Sequence, residues 1–278
     1  MDWWESTPAD LRPLVNAAKN LRLESKDPFG WMGVLRFNLI QPPFDNVKLR
    51  RAVLAATSQP DFLQAAAGDG EEAWRSCRAY FPCGGPGVSE TAGIAAMPMP
   101  EDLTAAKRMI RESGYNNEKI ALLVPTDIHH HAAFGQVSND LFRRLGLNVE
   151  FQAMDWGTMI QRTTNKGPVE KGGWSLFHTA ASMVSTASPG LNFFIRGLGE
   201  KGWPGWYDKP EIEALTEEWA DTPPDAPQQP LYDRIQKVLF DDPPFLPLGQ
   251  YTTFATYARD IQGGLRGIGS YPWNIRRV

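Results

Sequence analysis

An α/β fold, with helices packed on a sheet, is the fold class that this sequence of 278 residues predicts. Residues 120–124 form a continuous apolar run, which is typical of a buried strand. From there to residue 178, strand patterns alternate with helix-period patterns, which indicates strands that carry helices on their faces. The length allows about two domains, or one large domain.

The first hundred residues predict three helices and one strand. Thr7 is expected to cap a helix over 7–20, and residues 34–39 alternate weakly as a strand that ends in a proline-rich turn. Helices follow over 47–56 and from Pro60 to Gly68, the second of them capped by Ser58. The glycines and prolines of 69–100 predict a loop.

The middle of the chain carries the alternating pattern. A helix over 101–113 has an apolar stripe and ends at Gly114. The elements that follow it are a strand at 120–124, a helix at 134–145, a strand at 147–151, a helix from Asp155 to Thr163 and a strand at 174–178. Two helices, at 212–219 and 231–239, are separated by a break at 222–227, and 245–257 is predicted as one strand.

Charge and hydropathy exclude several classes of function. The formal net charge is −4, whereas nucleic-acid binders concentrate positive charge, so no nucleic-acid partner is expected. No apolar run reaches 18 residues, so no membrane span is predicted. The chain has 10 tryptophans, and a surplus of this residue lines a cleft or an interface, or fills the core.

Motifs for catalysis and cofactors do not stand out. No serine lies in a nucleophile elbow, and the glycines at 84–87 and 263–269 are better explained as turns than as phosphate-binding loops. The three histidines His129, His130 and His131 are adjacent, so they cannot all face one ion, and they are expected in a polar loop. We therefore expect no metal, no cofactor and no enzyme, with a hydrolase of unrecognised active site as the alternative.

Cys77 and Cys83 are the only cysteines. Their spacing is not that of a redox motif, and a zinc site would need two more ligands nearby. A disulfide closing a small loop and a pair of free thiols are the two interpretations that the residues leave open.

Four segments resemble, in order and spacing, family 5 of the extracellular solute-binding proteins, the dipeptide, oligopeptide and nickel receptors of ABC importers. They are FNLIQPPFDNVKLRRA at 37–52, DLTAAKRMIRESGY at 102–115, LGLNVEFQAMDW at 145–156 and LYDRIQKVLFDDPPFLPL at 231–248. The resemblance implies the C-terminal portion only of a longer receptor. It implies the second lobe of a periplasmic-binding-protein-like fold, a mixed sheet flanked by helices, with remnants of the first lobe.

The family resemblance also implies a division of the chain. Residues 1–37 resemble a first-lobe or hinge segment, 38–255 the second lobe, and 256–278 the return to the first lobe. No signal peptide opens the chain, which fits either a cytoplasmic protein or a start inside a longer one. The export route of the family makes the Cys77–Cys83 disulfide the expected pairing.

Ligand contacts are implied by the same resemblance. Trp156 is expected to border the ligand pocket, with a core position under the following helix as the alternative. His178 is expected at the end of a strand, where contact with the ligand and a purely structural role are equal alternatives. The loop predicted at 179–185 is expected to enter the cleft, and its contact residues are Ala181, Ser182, Met183 and Ser185.

One departure from the family concerns charge. In peptide receptors this loop carries an acidic residue for the ligand's amino group, but no Asp or Glu lies between Lys171 and Glu200. A buried ammonium needs a charge partner, so recognition of a peptide through its amino terminus is not expected at this loop. Its serines would instead bind a neutral or anionic solute through hydrogen bonds.

The implied function is the binding of a small solute, peptide-like or other, in an interlobe cleft and its delivery to the permease subunits of an ABC importer. The full-length protein is expected in the periplasm or outside the cell, near the membrane without spanning it, with lipid anchoring as one option. Apolar flanks that lack the first lobe are expected either to be partly mobile or to be covered by a second copy of the chain, so a dimer of the fragment is one of two expected outcomes.

Overall fold

A computed structural model describes residues 2–25, 27–70, 72–85, 87–223 and 225–278. The turn expected at 84–87 and the break expected at 222–227 each contain one residue, Pro86 and Pro224, outside this description. The helices of the described residues are α1 (Arg12–Ala17), α2 (Val47–Ala55), α3 (Gln59–Ala67), α4 (Leu103–Ser113), α5 (His129–Arg144), α6 (Trp156–Thr163), α7 (Pro210–Asp221) and α8 (Gln229–Asp241). Their strands are β1 (Trp3–Trp4), β2 (Leu21–Glu24), β3 (Trp31–Phe37), β4 (Trp74–Arg75), β5 (Ile120–Pro125), β6 (Val149–Met154), β7 (Leu176–Ser182), β8 (Phe245–Tyr251), β9 (Ala255–Ala258), β10 (Ile261–Gln262) and β11 (Arg276–Arg277).

The central sheet is mixed and has the strand order β4-β8-β3-β7-β5-β6. Strand β5 runs parallel to β6 and β7, and the other neighbours are antiparallel. All six residues of β5 are buried, as its continuous apolar run predicts. Helix α5 packs on β5, β6 and β7, and α3 packs between α5 and β8. The expected α/β class, a mixed sheet flanked by helices, is confirmed.

Core residues lie on both faces of this sheet, because alternate side chains of a strand point to opposite faces. Leu122 and Val124 of β5 belong to the main hydrophobic cluster, which α2, α3, α5 and α8 also supply. Leu123 between them belongs to a second cluster with Met159, Trp174 and Trp206. Both faces of β5 are therefore packed.

A second, smaller sheet joins the two ends of the chain. Strand β9 lies between β1 and β2 and is antiparallel to both. The Trp3 and Tyr257 rings stack across β1 and β9, with their centroids 5.9 Å apart. Strands β10 and β11 pair next to it near the C-terminus. Residues 2–24 and 255–258 thus pack together, apart from the central sheet.

Helix boundaries follow their capping residues where these are strong. Asp102 accepts a hydrogen bond from the backbone nitrogen of Ala105 at 2.8 Å and begins α4. Gly114 ends the same helix with a φ of 82°, a left-handed conformation that glycine adopts without steric cost. The prediction of a helix ending at Gly114 is therefore confirmed.

The predicted lengths of one helix and one strand were wrong. The helix expected over 7–20 is reduced to a 3₁₀ turn at Ala9–Leu11 and to α1, after which the chain enters β2. Thr7 caps neither of them, because its hydroxyl bonds that of Thr256 at 2.7 Å. The strand expected over 245–257 is two strands, β8 and β9, which belong to different sheets.

The Cys77–Cys83 disulfide is present, which confirms that prediction. It closes part of the segment 69–100, which also contains β4 and a 3₁₀ turn at Ile94–Ala96. The side chain of Gln59 holds this segment to the sheet, donating to the carbonyls of Cys77 at 2.6 Å and Pro247 at 2.8 Å. None of the helices among the described residues has the length and apolar character that a membrane crossing requires.

Candidate functional site

Four strands of the central sheet end at the same edge. These are β5, β6, β7 and β8, whose last residues are Pro125, Met154, Ser182 and Tyr251. Trp31, the first residue of β3, pairs with Ser182 on one side and Tyr251 on the other. We call this end of the sheet the carboxyl edge. In open α/β sheets, ligands bind outside the carboxyl ends of the strands, so it is the candidate site.

Trp156 lies at the carboxyl edge as the first residue of α6. The preceding Asp155 begins the helix by accepting from the backbone nitrogen of Thr158 at 2.9 Å. The backbone nitrogen of Trp156 donates to Asp127, which follows β5, at 2.9 Å. The ring is half-buried and packs against the second hydrophobic cluster. This position leaves part of the indole free to border a ligand, and its role stays a prediction.

The three adjacent histidines form the first turn of α5, so the polar loop expected there was wrong. The His131 ring is 5.1 Å from that of Trp156, and the His130 ring is 5.4 Å from that of Tyr251. Burial lowers the pKa of His131 to about 3 and that of His130 well below its ordinary value, so both are neutral at pH 7. In the part of the chain that the structure describes, no three His, Cys, Asp or Glu side chains are arranged so that they could hold a metal ion.

The segment at 179–185 is strand in its first half, whereas a loop was expected throughout. Ala181 and Ser182 belong to β7 and are buried. Met183 and Ser185 lie in the 3₁₀ turn Met183–Thr186 and are half-buried. The Ser182 hydroxyl accepts from the backbone nitrogen of Val184 at 3.4 Å, and the Ser185 hydroxyl donates to the Ser182 carbonyl at 2.8 Å. Only Met183 and Ser185 of these four reach the surface to an appreciable extent.

His178 lies inside β7 rather than at its end, so the expected position was wrong. Its ring is fully buried, 5.7 Å from that of Phe134, and its Nε2 lies 3.0 Å from the hydroxyl of Ser138. Burial lowers the pKa of His178 to about 3. Because Ser138 is also fully buried, this pair is not accessible to a substrate. The placement favours the structural alternative for His178.

Trp31 and Tyr251 are edge residues that the sequence analysis did not select. Tyr251 is buried, and its hydroxyl has no hydrogen-bond partner among the described residues. Trp31 is half-buried beside the 3₁₀ turn, where the backbone nitrogen of Met183 donates to the Gly30 carbonyl at 3.0 Å. A sequence signal existed only for Trp31, an aromatic residue three positions before the strand predicted at 34–39.

Comparison with known proteins places these features in a family. Residues 1–203 match the model of the bacterial extracellular solute-binding proteins, family 5. A probable peptide ABC transporter periplasmic-binding protein of Sinorhizobium fredii, y4tO, is 31% identical over 287 residues, covering 100% of this chain and 52% of that protein. The glutathione-binding protein GsiB of Escherichia coli K12 is 23% identical and covers 92% of this chain and 49% of that protein.

Solved structures agree in fold. The Escherichia coli murein tripeptide binding protein MppA matches with a TM-score of 0.82 at 17% identity, over 100% of this chain and 54% of that one. The dipeptide binding protein from Pseudoalteromonas sp. SM9913, in complex with Met-Leu, matches with a TM-score of 0.79 at 22% identity, over 100% and 54%. The chain therefore spans about half the length of the relatives that it matches.

Proposed function

Because the chain belongs to the bacterial extracellular solute-binding proteins of family 5, we propose that it forms one wall of a solute site in the receptor of an ABC importer. The solute lies against the carboxyl edge. The observation that carries this proposal is the convergence at that edge of Trp156, which follows β6, with Met183 and Ser185, which follow β7. The alternative of a hydrolase has no observation in its favour.

The edge offers the mixture of surfaces that small-solute sites use. The half-buried indole of Trp156 provides a rigid apolar face, and Met183 adds a polarizable side chain that adapts to different shapes. The Ser185 hydroxyl already donates to a carbonyl, but its oxygen retains capacity to accept. Such a site binds a solute by contact and hydrogen bonding, and no bond in the solute has to be broken.

Ala181 and Ser182 take a supporting part in this proposal. Both are buried in β7, and the Ser182 hydroxyl is engaged with the turn that carries Met183 and Ser185. They set the position of the turn, while His178, one layer deeper, holds β7 against α5 through Ser138. Direct contact with the solute is then left to Trp156, Met183 and Ser185.

The setting of the proposed function is the periplasm or the exterior of the cell. Family relatives carry the names of periplasmic-binding proteins, and family 5 receptors work with ABC permeases. The disulfide between Cys77 and Cys83 is of the kind that persists in an oxidising compartment. We propose that the solute-loaded protein is recognised by permease subunits. A lipid anchor on the full-length protein and a dimer of this chain are compatible with that proposal.

Calorimetric titration tests the proposal. The protein is titrated with dipeptides, a tripeptide, glutathione and agropinic acid, and the solute that binds is then titrated into variants. Trp156→Ala is expected to weaken binding about tenfold or more, because a buried aromatic contact contributes at least about 2 kcal/mol at a binding hot spot. Trp156→Phe keeps a ring and is expected to stay within a few-fold of the wild type.

Ile160→Ala is the matched control, since Ile160 lies one turn along α6 and is 39% exposed. It is expected to leave the affinity unchanged, and thermal melting confirms that each variant is folded. Equal affinity for Trp156→Ala and the wild type would contradict the placement of the solute at the carboxyl edge. Failure of every solute to bind at concentrations up to about 10 mM would contradict a solute-binding wall at the carboxyl edge.

A further inference from the structure

A cavity of about 210 Å³ lies beside the carboxyl edge, between the start of β3 and the small sheet. Its lining includes Glu5 and Asp27 from the N-terminal segment, Trp31 of β3, His130 of α5 and Tyr271 near the C-terminus. Drug-sized ligands occupy pockets of about 300–1,000 Å³, so this cavity suits one end group of a solute rather than a whole peptide.

We propose that this cavity binds a cationic group of the solute, an ammonium or a guanidinium, between the carboxylates of Asp27 and Glu5 and the ring of Trp31. The assignment rests on the proposed function, because the cation is one end of the solute that lies against the carboxyl edge. The cavity assigns a cationic group to the solute and names the residues that bind this group, neither of which follows from the carboxyl edge alone.

The charge of the lining has one sign. The lining contains two acidic side chains, Glu5 and Asp27, and no Lys or Arg is among the residues that line the cavity in the described part of the chain. His130 is neutral, because burial lowers its pKa. The guanidinium of Arg22 lies over the Tyr257 ring, but it is held by Glu24 at 3.2 Å and by two backbone carbonyls. Among the described residues, the side chains that line the cavity are therefore acidic or uncharged.

Asp27 is fixed in place before any ligand arrives. Its Oδ1 accepts from the backbone nitrogen of Phe29 at 2.9 Å, and its backbone carbonyl accepts from the Ser25 hydroxyl at 3.2 Å. Its Oδ2 is buried and has no hydrogen-bond partner among the described residues. A carboxylate oxygen that is withdrawn from water without a partner is costly, and a cation in the cavity close to this carboxylate group would offset part of that cost through electrostatic attraction.

Aromatic side chains complete the cation site. Trp31 is half-buried in the wall, and the face of an indole attracts a cation held within about 6 Å of its centroid. Tyr271 also lines the cavity, and its ring is 5.3 Å from that of Trp273. Gly267 allows this position of the ring, because a Cβ atom at residue 267 would collide with it. A flat guanidinium would thus lie between aromatic and anionic surfaces.

His130 connects the cavity to the carboxyl edge. It lines the cavity, and its ring is 5.4 Å from that of Tyr251, the last residue of β8. The next residue, His131, contacts Trp156. A solute that lies against Trp156 and Met183 can therefore extend past His130 and place a terminal cation beside Asp27. The absence of acidic residues between Lys171 and Glu200 is consistent with this division, because the negative charge comes from a different part of the chain.

The test uses the chain of 278 residues and a pair of small probes, n-butylguanidinium and its neutral analogue n-butylurea. In isothermal titration calorimetry at low ionic strength, the cation is expected to bind and the urea to show no binding up to about 10 mM. Asp27→Asn keeps the oxygen that accepts from the backbone nitrogen of Phe29 and removes the charge, and it is expected to lower the affinity for the cation about tenfold. Glu5→Gln, at an exposed position, is expected to lower this affinity about threefold.

Asp140→Asn is the matched control. Asp140 is an exposed carboxylate on α5 that is 3.5 Å from Arg144, so this variant changes the net charge equally without touching the cavity. It is expected to bind the cation as the wild type does. Absence of cation binding up to about 10 mM, equal binding of the urea, or wild-type affinity in Asp27→Asn would each overturn the proposal.

The two proposals fail separately. If the chain binds the probe through Asp27 but no solute binds in the titrations with peptides and the other solutes, the cavity assignment stands as a cation site and the solute wall at the carboxyl edge fails. If a solute binds through Trp156 with equal affinity in the wild type and in Asp27→Asn, the receptor function stands and the cation assignment fails.

Discussion

Acidification is expected to destabilise this protein through its buried histidines, and His178 provides the clearest measurement. The perturbation is a change from pH 7 to pH 5 in the wild type and in His178→Gln. Gln has no titrating group, yet its amide can hydrogen-bond the Ser138 hydroxyl that lies 3.0 Å from His178 Nε2. The difference between the two proteins isolates the proton uptake of one imidazole.

The expected size of the effect follows from the pKa values. Burial lowers the pKa of His178 from 6.5 to about 3, so between these values the unfolded chain binds a proton that the folded chain does not. Stability is therefore complete above pH 6.5 and is lost as the pH falls toward 3. At pH 5 this one group is expected to cost about 2 kcal/mol relative to pH 7, a value that depends little on how far below 4 the folded pKa lies.

Urea unfolding followed by circular dichroism at pH 7 and pH 5 measures the effect. Carboxylates and the other histidines titrate in both proteins, so their contributions cancel in the difference. His178→Gln is expected to lose about 2 kcal/mol less than the wild type between the two pH values. Ser138→Ala is the control, since it removes the hydroxyl partner at about 1 kcal/mol at both pH values and leaves the pH dependence as in the wild type.

An identical pH dependence in His178→Gln and the wild type would refute the reasoning. It would mean that the folded protein accepts a proton on His178 as readily as the unfolded chain does, which a fully buried imidazole between Phe62 and Phe134 does not allow. His178→Asn provides a second shorter amide if the Gln variant does not fold.

Two further predictions concern stability. Reduction of the Cys77–Cys83 disulfide is expected to raise the mass by two hydrogen atoms and to lower the free energy of unfolding by about 2 kcal/mol, because the bond closes a short loop. Mass spectrometry and urea unfolding check this, and an unchanged mass would contradict it. Asp242→Ala is expected to cost about 3 kcal/mol, because it leaves the buried guanidinium of Arg50 without its carboxylate; urea unfolding measures it, and a loss no larger than that of the exposed-pair variant Asp140→Ala would contradict the role of burial.

The parts of the fold that could be predicted are those with local signals. Helix α4 has an acidic cap at Asp102 and a left-handed glycine at Gly114, and both act within one turn. Strand β5 is a continuous apolar run that is buried on both faces. In these elements the propensity of each residue and the tertiary packing favour the same structure.

The errors fall where distant residues decide the structure. Strand β9 pairs with β1 and β2, more than 200 residues earlier, so nothing near Thr252 indicates that the chain leaves one sheet for another. Helix α5 begins at His129 after Ile128, which provides no side-chain cap, so its first turn has no start signal. Two-residue strands such as β1 are defined only by their partners.

The candidate site also has one part with a signal in a single segment, the carboxyl edge, and one part that depends on distant residues, the cavity. Trp156 could be selected from the sequence because it ends the segment 145–156, which resembles a segment of the family. The cavity could not be selected, because Asp27, His130 and Tyr271 come together only when β3, α5 and the C-terminal segment are packed. Met183 is intermediate, since its position in the chain was predicted while the 3₁₀ turn that partly exposes it was not.

This separation has a consequence for how specificity can change. The residues that we propose to contact a solute at the carboxyl edge follow β6 and β7, whereas the carboxylates of the proposed cation site lie before β3, where Asp27 is held by its own turn with Phe29. Packing between the two depends on His130, whose ring contacts Tyr251 but makes no ion pair with either carboxylate among the described residues. Substitutions in the turn at 183–186 can therefore alter the shape that is accepted without altering the preferred charge. The converse holds for Asp27 and Glu5, because their loss removes the attraction for a cation while the aromatic and methionine surfaces remain.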